Sequence, residues 1–261
     1  MLGRRSEPPV VAIDDGIAVV RLARPDKRNA LDSASIAGLE QIFADLQPSV
    51  RAVVLHGEGD HFSAGLDLSD LEERDAAAGL AHSRRWHRAF ERIEHCGVPV
   101  IAVLHGAVVG GGLELAASAH LRVAERGAFY ALPEGSRGIF VGGGGSVRLP
   151  RLIGVARMMD MMLTGRTFGA EEGVSLGFSQ YLAEAGEGLA KGMELARRVA
   201  ENAPLTNFAL IEALPRIADA DPATGLLLEA LMSAVAQSAP EAKDRLRAFL
   251  DKRAGKVVHR A

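Results

Sequence analysis

Apolar residues are arranged in two different patterns along the first half of the chain. Short runs rich in β-branched residues are typical of buried strands, and the stretches between them repeat their apolar positions every three or four residues, as helices do. The strand-like runs are 16–22, 50–56, 98–104 and 121–124. This alternation predicts a layered α/β domain.

Two amphipathic helices are predicted between the early strands. The first should begin at Asp32 or Ser33, either of which can cap free N–H groups. Its expected apolar stripe is Ile36, Leu39, Phe43 and Leu46. The second should cover 80–95, and its expected apolar stripe is Trp86, Phe90 and Ile93. Each stripe would face the core, with polar residues on the opposite side of the helix.

From about residue 149 the strand pattern fades and helical periodicity takes over, which predicts an all-helical C-terminal third. The predicted helices are 155–163, 170–176, 189–202, 205–218, 226–238 and 241–253. Asp221 and Pro222 mark a break. The helices after the break have apolar faces that can pack on the chain's own core or on another subunit.

Composition narrows the function classes. With 261 residues, 48% of them hydrophobic, the chain can bury a full core. A net charge of −3, with basic residues spread along the chain, argues against nucleic acid as a partner. The single cysteine, Cys96, excludes an internal disulfide and favours a reducing compartment. The apolar stretch 98–109 is too short and interrupted to span a bilayer, and no signal-peptide run precedes it, so we expect a cytoplasmic protein without a membrane partner.

A glycine-rich segment, GAVVGGGLELAAS at 106–118, follows the third strand-like run and leads into a helix. Glycines let another molecule approach the backbone, and a helix start directs free N–H groups at it, so an oxyanion is the natural guest. The alternative is close helix packing, with Glu114 as an ordinary first-turn charge. A dinucleotide site is not indicated, because Leu115 stands where the third glycine of that motif belongs.

A second segment, FSAGLDL at 62–68, lies just past a strand end, where open α/β sheets place ligands. The alternatives are an ordinary loop or a serine nucleophile, but Ser63 lacks the glycine elbow of such a site. The two segments can present two N–H groups to one carbonyl oxygen, with Glu114 and the Glu134 of LPEG nearby, which indicates enolate chemistry. The eight histidines include no metal-hydrolase pair, so we expect no metal.

Five motifs in order give the chain a family resemblance. They are RPDKRNAL at 24–31, FSAGLDL, GGGLEL, LPEG and LTGRTFGAEE at 163–172. The set resembles the enoyl-CoA hydratase/isomerase, or crotonase, superfamily, and is most similar to the enoyl-CoA hydratases. The resemblance implies an α/β fold with a ββα spiral core over 1–200 that carries a CoA thioester site. It also implies a helical region over 201–261 for contacts in a homotrimer or a dimer of trimers.

The resemblance also implies roles for single residues. The N–H groups of Leu66 and Gly111 would hold the thioester oxygen, Glu114 would deprotonate a water that attacks the β carbon, and Glu134 would protonate the α carbon. The implied substrate-binding positions are Lys27, Arg28 and Lys252 near the CoA phosphates, Ala64, Asp67 and Leu68 along the CoA path, and Gly142 beside the water. CoA is part of the substrate, and no separate cofactor is implied.

Two further expectations concern the acyl side. Segment 68–88 should roof the acyl pocket, with Leu71, Leu80 and Trp86 as walls. Arg137 stands where many hydratases carry an apolar residue, and close to Glu134 it would favour the charged carboxylate and weaken that group as an acid. The expected reaction is hydration of a 2-enoyl-CoA. The alternatives are double-bond isomerisation, another enolate reaction on a specialised acyl-CoA, or acyl-CoA binding without turnover.

Overall fold

Two β-sheets and eleven α-helices are found in the described part of the chain. The structure is a computed structural model that describes residues 7–70 and 75–251. The strands are β1 (Val10–Asp14), β2 (Ile17–Leu22), β3 (Ala52–Gly57), β4 (Val100–Leu104), β5 (Ala107–Val109), β6 (Leu121–Glu125), β7 (Phe129–Ala131), β8 (Phe168–Gly169) and β9 (Tyr181–Ala183). The helices are α1 (Ser33–Ala44), α2 (Ala76–Glu94), α3 (Gly111–Ala117), α4 (Gly145–Ile153), α5 (Val155–Thr164), α6 (Ala170–Ser175), α7 (Gly188–Ala200), α8 (Pro204–Phe208), α9 (Leu214–Asp219), α10 (Pro222–Ser238) and α11 (Pro240–Leu250).

The larger sheet has the strand order β1-β2-β3-β4-β6-β9, and every pair except the antiparallel β1-β2 is parallel. The four predicted strands are its β2, β3, β4 and β6. The smaller sheet has the order β5-β7-β8. The predicted α/β layering is confirmed.

The chain alternates between the two sheets. After β4 it turns sharply at Gly106, where φ is +51° and a Cβ atom would lie 2.1 Å from the carbonyl oxygen of Asp60. It then forms β5 in the second sheet and helix α3. The same order returns with β6, β7 and α4. This repeat of strand, strand and helix is the ββα spiral expected from the resemblance.

Helices α1 and α2 confirm the amphipathic prediction. The Asp32 carboxylate caps α1 by accepting the N–H of Ser35 at 2.8 Å. Helix α2 is capped by Asp75 and therefore begins four residues before the predicted start. The buried stripes are Ile36, Leu39 and Phe43 on α1, and Trp86, Phe90 and Ile93 on α2. Leu46 lies beyond the end of α1.

The prediction of an all-helical C-terminal third is wrong. Strand β9 pairs in parallel with β6 at the edge of the larger sheet, and it is too short to show a period of its own. The predicted helix 205–218 is divided into α8, a π-helical stretch Ala209–Ala213 and α9. Pro215 has no N–H to donate to the preceding turn, which explains why a regular α-helix does not continue through this segment.

The larger sheet is covered on both faces. One face packs on α1, α2 and the second sheet, and the other packs on α7, where Val54, Ile101 and Leu195 share a separate cluster. No described helix combines the length and the apolar character needed to cross a membrane. The boundary expected at residue 200 coincides with the end of α7, and the division into two functional regions stays a prediction.

Candidate active site

The two glycine segments lie side by side. The N–H of Ser63 donates to the Ala107 carbonyl at 3.0 Å, and the N–H of Val109 donates to the Ser63 carbonyl at 3.0 Å. These bonds fix the loop 62–68 against β5, the strand that leads into α3. Gly112 packs at the same contact, where a Cβ atom would lie 2.6 Å from the Ser63 carbonyl oxygen. Position 112 therefore requires glycine, because any side chain there would prevent this close contact.

The N–H of Leu66 points away from Leu31, the residue whose backbone hydrogen bonds hold the 62–68 loop. Leu31 donates its N–H to the Gly65 carbonyl at 2.7 Å and accepts the N–H of Asp67 at 3.0 Å. Across a trans peptide, the carbonyl of one residue and the N–H of the next point in opposite directions. The N–H of Leu66 is therefore directed away from Leu31, on the side where Leu66 lines a cleft.

Gly111 supplies the second amide. It is the first residue of α3, so its N–H has no acceptor within the helix. A Cβ atom at Gly111 would lie 3.5 Å from the nitrogen of Leu66 and 2.5 Å from the ring of Trp86. The amides of Leu66 and Gly111 are thus neighbours, and any side chain at 111 would collide with the indole.

Glu114 is anchored one helical turn further on. Its side chain is 3% exposed, and its Oε1 accepts the N–H groups of Gly143 and Gly145, each at 2.8 Å. Burial raises the pKa of Glu114, and the two N–H bonds and the charge of Arg148 oppose that rise. Glycines are required at 143 and 145 because a Cβ atom there would lie about 3 Å from the carboxyl group.

Glu134 lies beside Gly110, the residue that immediately precedes helix α3. A Cβ atom at Gly110 would be 2.7 Å from its Oε1. Its side chain is 8% exposed, and within residues 7–70 and 75–251 its buried Oε2 has no hydrogen-bond partner. Burial raises the pKa of Glu134 to about 7, the negative charge of Glu114 adds to the rise, and Arg137 opposes it. The two carboxyl groups therefore have different surroundings.

The four groups open on one cleft of about 520 Å³. Helix α2 forms one wall, and the loop after Glu134 forms the other. The residues that line the cleft include the predicted Ala64, Leu66, Leu68, Trp86, Gly111, Glu114, Glu134 and Gly142. The structure thus brings together both amides, both carboxyl groups and part of the expected CoA path.

The other predicted positions are placed as follows. Lys27 and Arg28 are exposed on a single helical turn, Pro25–Lys27, and its end, and the Arg28 carbonyl accepts the N–H of Ala64 at 2.9 Å. They therefore lie beside the loop that carries Leu66. Lys252 and Leu71 fall outside the described residues.

Asp67 is not among the residues that line the cleft. Its buried carboxylate pairs with Arg24 at 2.7 Å and accepts the hydroxyl and the N–H of Ser69. Burial by itself would raise the pKa of Asp67, but the hydrogen bonds from Ser69 and Arg24 outweigh it and hold the pKa at about 2. Asp67 is therefore turned toward Arg24 and fixes the 62–68 loop from behind.

One expectation about the acyl side is corrected. Leu80 is 63% exposed on the outer side of α2, so it is not a wall of the cleft. The helix presents Gly79, His82, Ser83 and Trp86 instead. Counting back by three, four and seven from Trp86 would have found this stripe. Arg137 opposes the rise in the pKa of Glu134, in the expected direction, but within the described chain it makes no ion pair with Glu134, and burial keeps that pKa raised.

Comparison with known proteins agrees with this geometry. The sequence model of the enoyl-CoA hydratase/isomerase family matches residues 12–257. The chain is 31% identical over 240 residues to the short-chain-enoyl-CoA hydratase of Clostridium acetobutylicum, covering 91% of this chain and 92% of that protein.

Solved structures agree as well. A crystal structure described as a candidate enoyl-CoA hydratase from Rhodopseudomonas palustris is 64% identical, with a TM-score of 0.91 over 94% of this chain and 95% of that one. Enoyl-CoA hydratase from Bacillus anthracis is 29% identical, with a TM-score of 0.88 over 94% of this chain and 96% of that one. The chain belongs to the enoyl-CoA hydratase/isomerase family.

Proposed function

We propose that this protein is an enoyl-CoA hydratase that adds water reversibly to a 2-enoyl-CoA and gives a 3-hydroxyacyl-CoA. The observation that supports this most directly is the placement of two buried carboxyl groups around one cleft that also receives two neighbouring amides. Water addition needs a base, an acid and a site for the developing enolate oxygen, and these groups supply all three.

The amides of Leu66 and Gly111 stabilise the thioester oxygen as it gains negative charge. Both are backbone groups fixed by hydrogen bonds of their own segments, so they need little reorganisation during the reaction. The loss of one such donor typically costs about 3 kcal/mol of transition-state stabilisation.

The surroundings of the carboxyl groups assign the acid and the base. Two N–H groups stabilise the anion of Glu114, whereas the Oε2 of Glu134 has no hydrogen-bond partner among the described residues, so we assign the base to Glu114 and the acid to Glu134. Glu114 takes a proton from the water whose oxygen bonds to the β carbon. Glu134 gives its proton to the α carbon, so the total charge of the two groups does not change.

The test is to mix purified protein with but-2-enoyl-CoA and longer 2-enoyl-CoAs, and to follow the loss of enoyl absorbance and the product mass. Hydration adds the mass of water, whereas isomerisation leaves the mass unchanged. No loss of the enoyl group with any chain length would contradict the proposal. Tight binding without turnover, unchanged by Glu114→Gln or Glu134→Gln, would indicate an acyl-CoA binder.

The proposal includes no cofactor other than the CoA of the substrate. The base, the acid and the oxyanion site are all groups of this chain, so we expect full activity after dialysis against EDTA. We also propose a cytoplasmic location, which suits the free thiol of Cys96.

We further propose that the protein works as a homotrimer or a dimer of such trimers. Helix α10 exposes large apolar side chains that a monomer would leave in water. They are Leu226, Leu227, Leu231 and Val235. Burial of this face against a second copy would remove it from solvent.

A further inference from the structure

We propose that Arg137 selects 2-enoyl-CoA substrates whose acyl chain ends in a carboxylate. The inference rests on the proposed hydratase function and names the substrate class of the same cleft. It concerns the far end of the acyl group, beyond the carbons on which the two glutamates act.

The position of Arg137 follows from the order of groups around the cleft. In the proposed reaction the thioester oxygen would bind the amides of Leu66 and Gly111, and the CoA arm would leave past Ala64 and Leu68, which line the cleft on the 62–68 loop. The acyl chain then extends the other way, past Glu134. Arg137 is three residues after Glu134 and lines the same cleft, so it lies on the acyl side.

The guanidinium of Arg137 is exposed and is not held by a carboxylate of the described chain. Among the described residues none forms a hydrogen bond or an ion pair with its side chain. Other arginines around this core are held by carboxylates, as Arg24 is by Asp67 and Arg148 is by Glu94. An arginine that lines a substrate cleft without such a partner can accept a planar anion in a bidentate geometry.

The opposite wall is also partly polar. Helix α2 presents His82 and Ser83 to the cleft, and the Ser83 hydroxyl lies 2.9 Å from the position of a Cβ atom at Gly142. A hydrocarbon tail would remove the Ser83 hydroxyl from water and offer no hydrogen bond in return, which is unfavourable. A terminal carboxylate would instead accept hydrogen bonds from Arg137 and from the polar wall.

A substrate with a terminal carboxylate would also help Glu134 to act as the acid. The charge of Arg137 opposes the raised pKa of Glu134. A substrate carboxylate paired with Arg137 would cancel much of that charge, so that Glu134 keeps its proton for the α carbon. With a methyl-terminated substrate, the uncompensated guanidinium would favour the ionised form of Glu134.

The experiment compares matched pairs of substrates. The pairs are 4-carboxybut-2-enoyl-CoA with pent-2-enoyl-CoA, and 5-carboxypent-2-enoyl-CoA with hex-2-enoyl-CoA, each pair differing only in a terminal carboxylate or methyl group. For at least one pair we expect kcat/KM to be about tenfold or more higher for the carboxylate. Arg137→Gln should remove that preference, because kcat/KM should fall for the carboxylate-terminated substrate and rise for its methyl-terminated partner, for which the guanidinium no longer favours ionised Glu134.

Arg84→Gln is the control, because Arg84 is an exposed arginine of α2 on the side away from the cleft. It should preserve the preference. Better turnover of the methyl-terminated substrate in both pairs would overturn the inference. So would an equal loss on all four substrates in Arg137→Gln, since Arg137 would then bind the shared CoA part.

A binding measurement separates this inference from the proposed function. Saturated 4-carboxybutanoyl-CoA and pentanoyl-CoA are titrated by calorimetry into wild type and Arg137→Gln. If no substrate is hydrated but the carboxylate binds more tightly in an Arg137-dependent way, the hydratase proposal fails and the inference stands. Equal affinity of the two ligands for the wild type would overturn the inference whatever the activity.

Discussion

At the scale of single residues, the raised pKa of Glu134 makes its protonation state sensitive to pH near neutrality. The carboxyl group is buried beside Glu114, and both effects favour the neutral form. Hydration needs Glu134 to be protonated, so the rate should fall as pH rises through about 7. The check is a pH profile of kcat/KM in the hydration direction, and an unchanged rate up to pH 9 would contradict this role.

The same carboxyl group should limit stability. The folded-state pKa of Glu134 lies above the ordinary value of 4.5, so the folded protein binds this proton more tightly than the unfolded chain does. The resulting contribution to the free energy of unfolding is fully present below pH 4.5 and is lost as pH rises through about 7. Glu134→Gln should therefore raise Tm by a few degrees at pH 8 and leave it nearly unchanged at pH 4. Its hydratase activity should fall by about 10²–10⁴. The exposed Glu201→Gln is the control for both measurements, and a lower Tm of Glu134→Gln at pH 8 would contradict this account.

At the scale of elements, the 62–68 loop depends on the backbone of Gly65. Its φ is +87°, and a Cβ atom there would lie 2.5 Å from the Val109 carbonyl oxygen and 3.0 Å from the nitrogen of Gly111. Gly65→Ala should therefore separate the two amides and lower kcat by about a hundredfold or more. Gly127→Ala, where a Cβ atom meets nothing within 4 Å, should leave kcat unchanged. Near-normal kcat in Gly65→Ala would argue against the paired amides.

The ion pair of Arg24 and Asp67 supports the same loop from behind. Asp67→Asn would leave Arg24 with a weaker partner, and we expect a loss of about 1–3 kcal/mol in the free energy of unfolding at pH 7, with reduced kcat. Because the pKa of Asp67 is about 2, the wild type should keep this contribution above pH 4 and lose it as pH falls through about 2. Urea unfolding measures the free energy of unfolding, with the exposed Asp14→Asn variant as control. Equal unfolding free energies for Asp67→Asn and the wild type would show that the pair is not needed.

At the scale of the whole molecule, the exposed apolar face of α10 predicts self-association. Leu227 is 61% exposed and Leu231 is 54% exposed, four residues apart on the helix. Leu227→Glu with Leu231→Glu should convert trimers to monomers, because charges would be buried at the contact. Light scattering after size exclusion gives the mass, and Glu229→Ala on the same helix should keep the wild-type mass. A monomeric wild type would refute the trimer.

The sequence determined the buried strands and the residues that carry the chemistry. The β-branched runs predicted β2, β3, β4 and β6 because a strand covered on both faces must be apolar along its length. Glycines at 65, 110 and 111 were visible as sites of close backbone approach. The short strand β9 was not, because three residues show no period and the strand is stabilised by pairing with β6.

Only the tertiary structure decided how these residues act together. Leu66 and Gly111 become neighbours through hydrogen bonds between segments far apart in sequence, and Glu114 is held by glycines about thirty positions later. The pKa values of Glu114 and Glu134 are both raised by burial, and these rises are opposed by different neighbours, which only three-dimensional packing provides. A residue's type is fixed by the sequence, whereas the free energy of its charged form depends on the neighbours that folding provides.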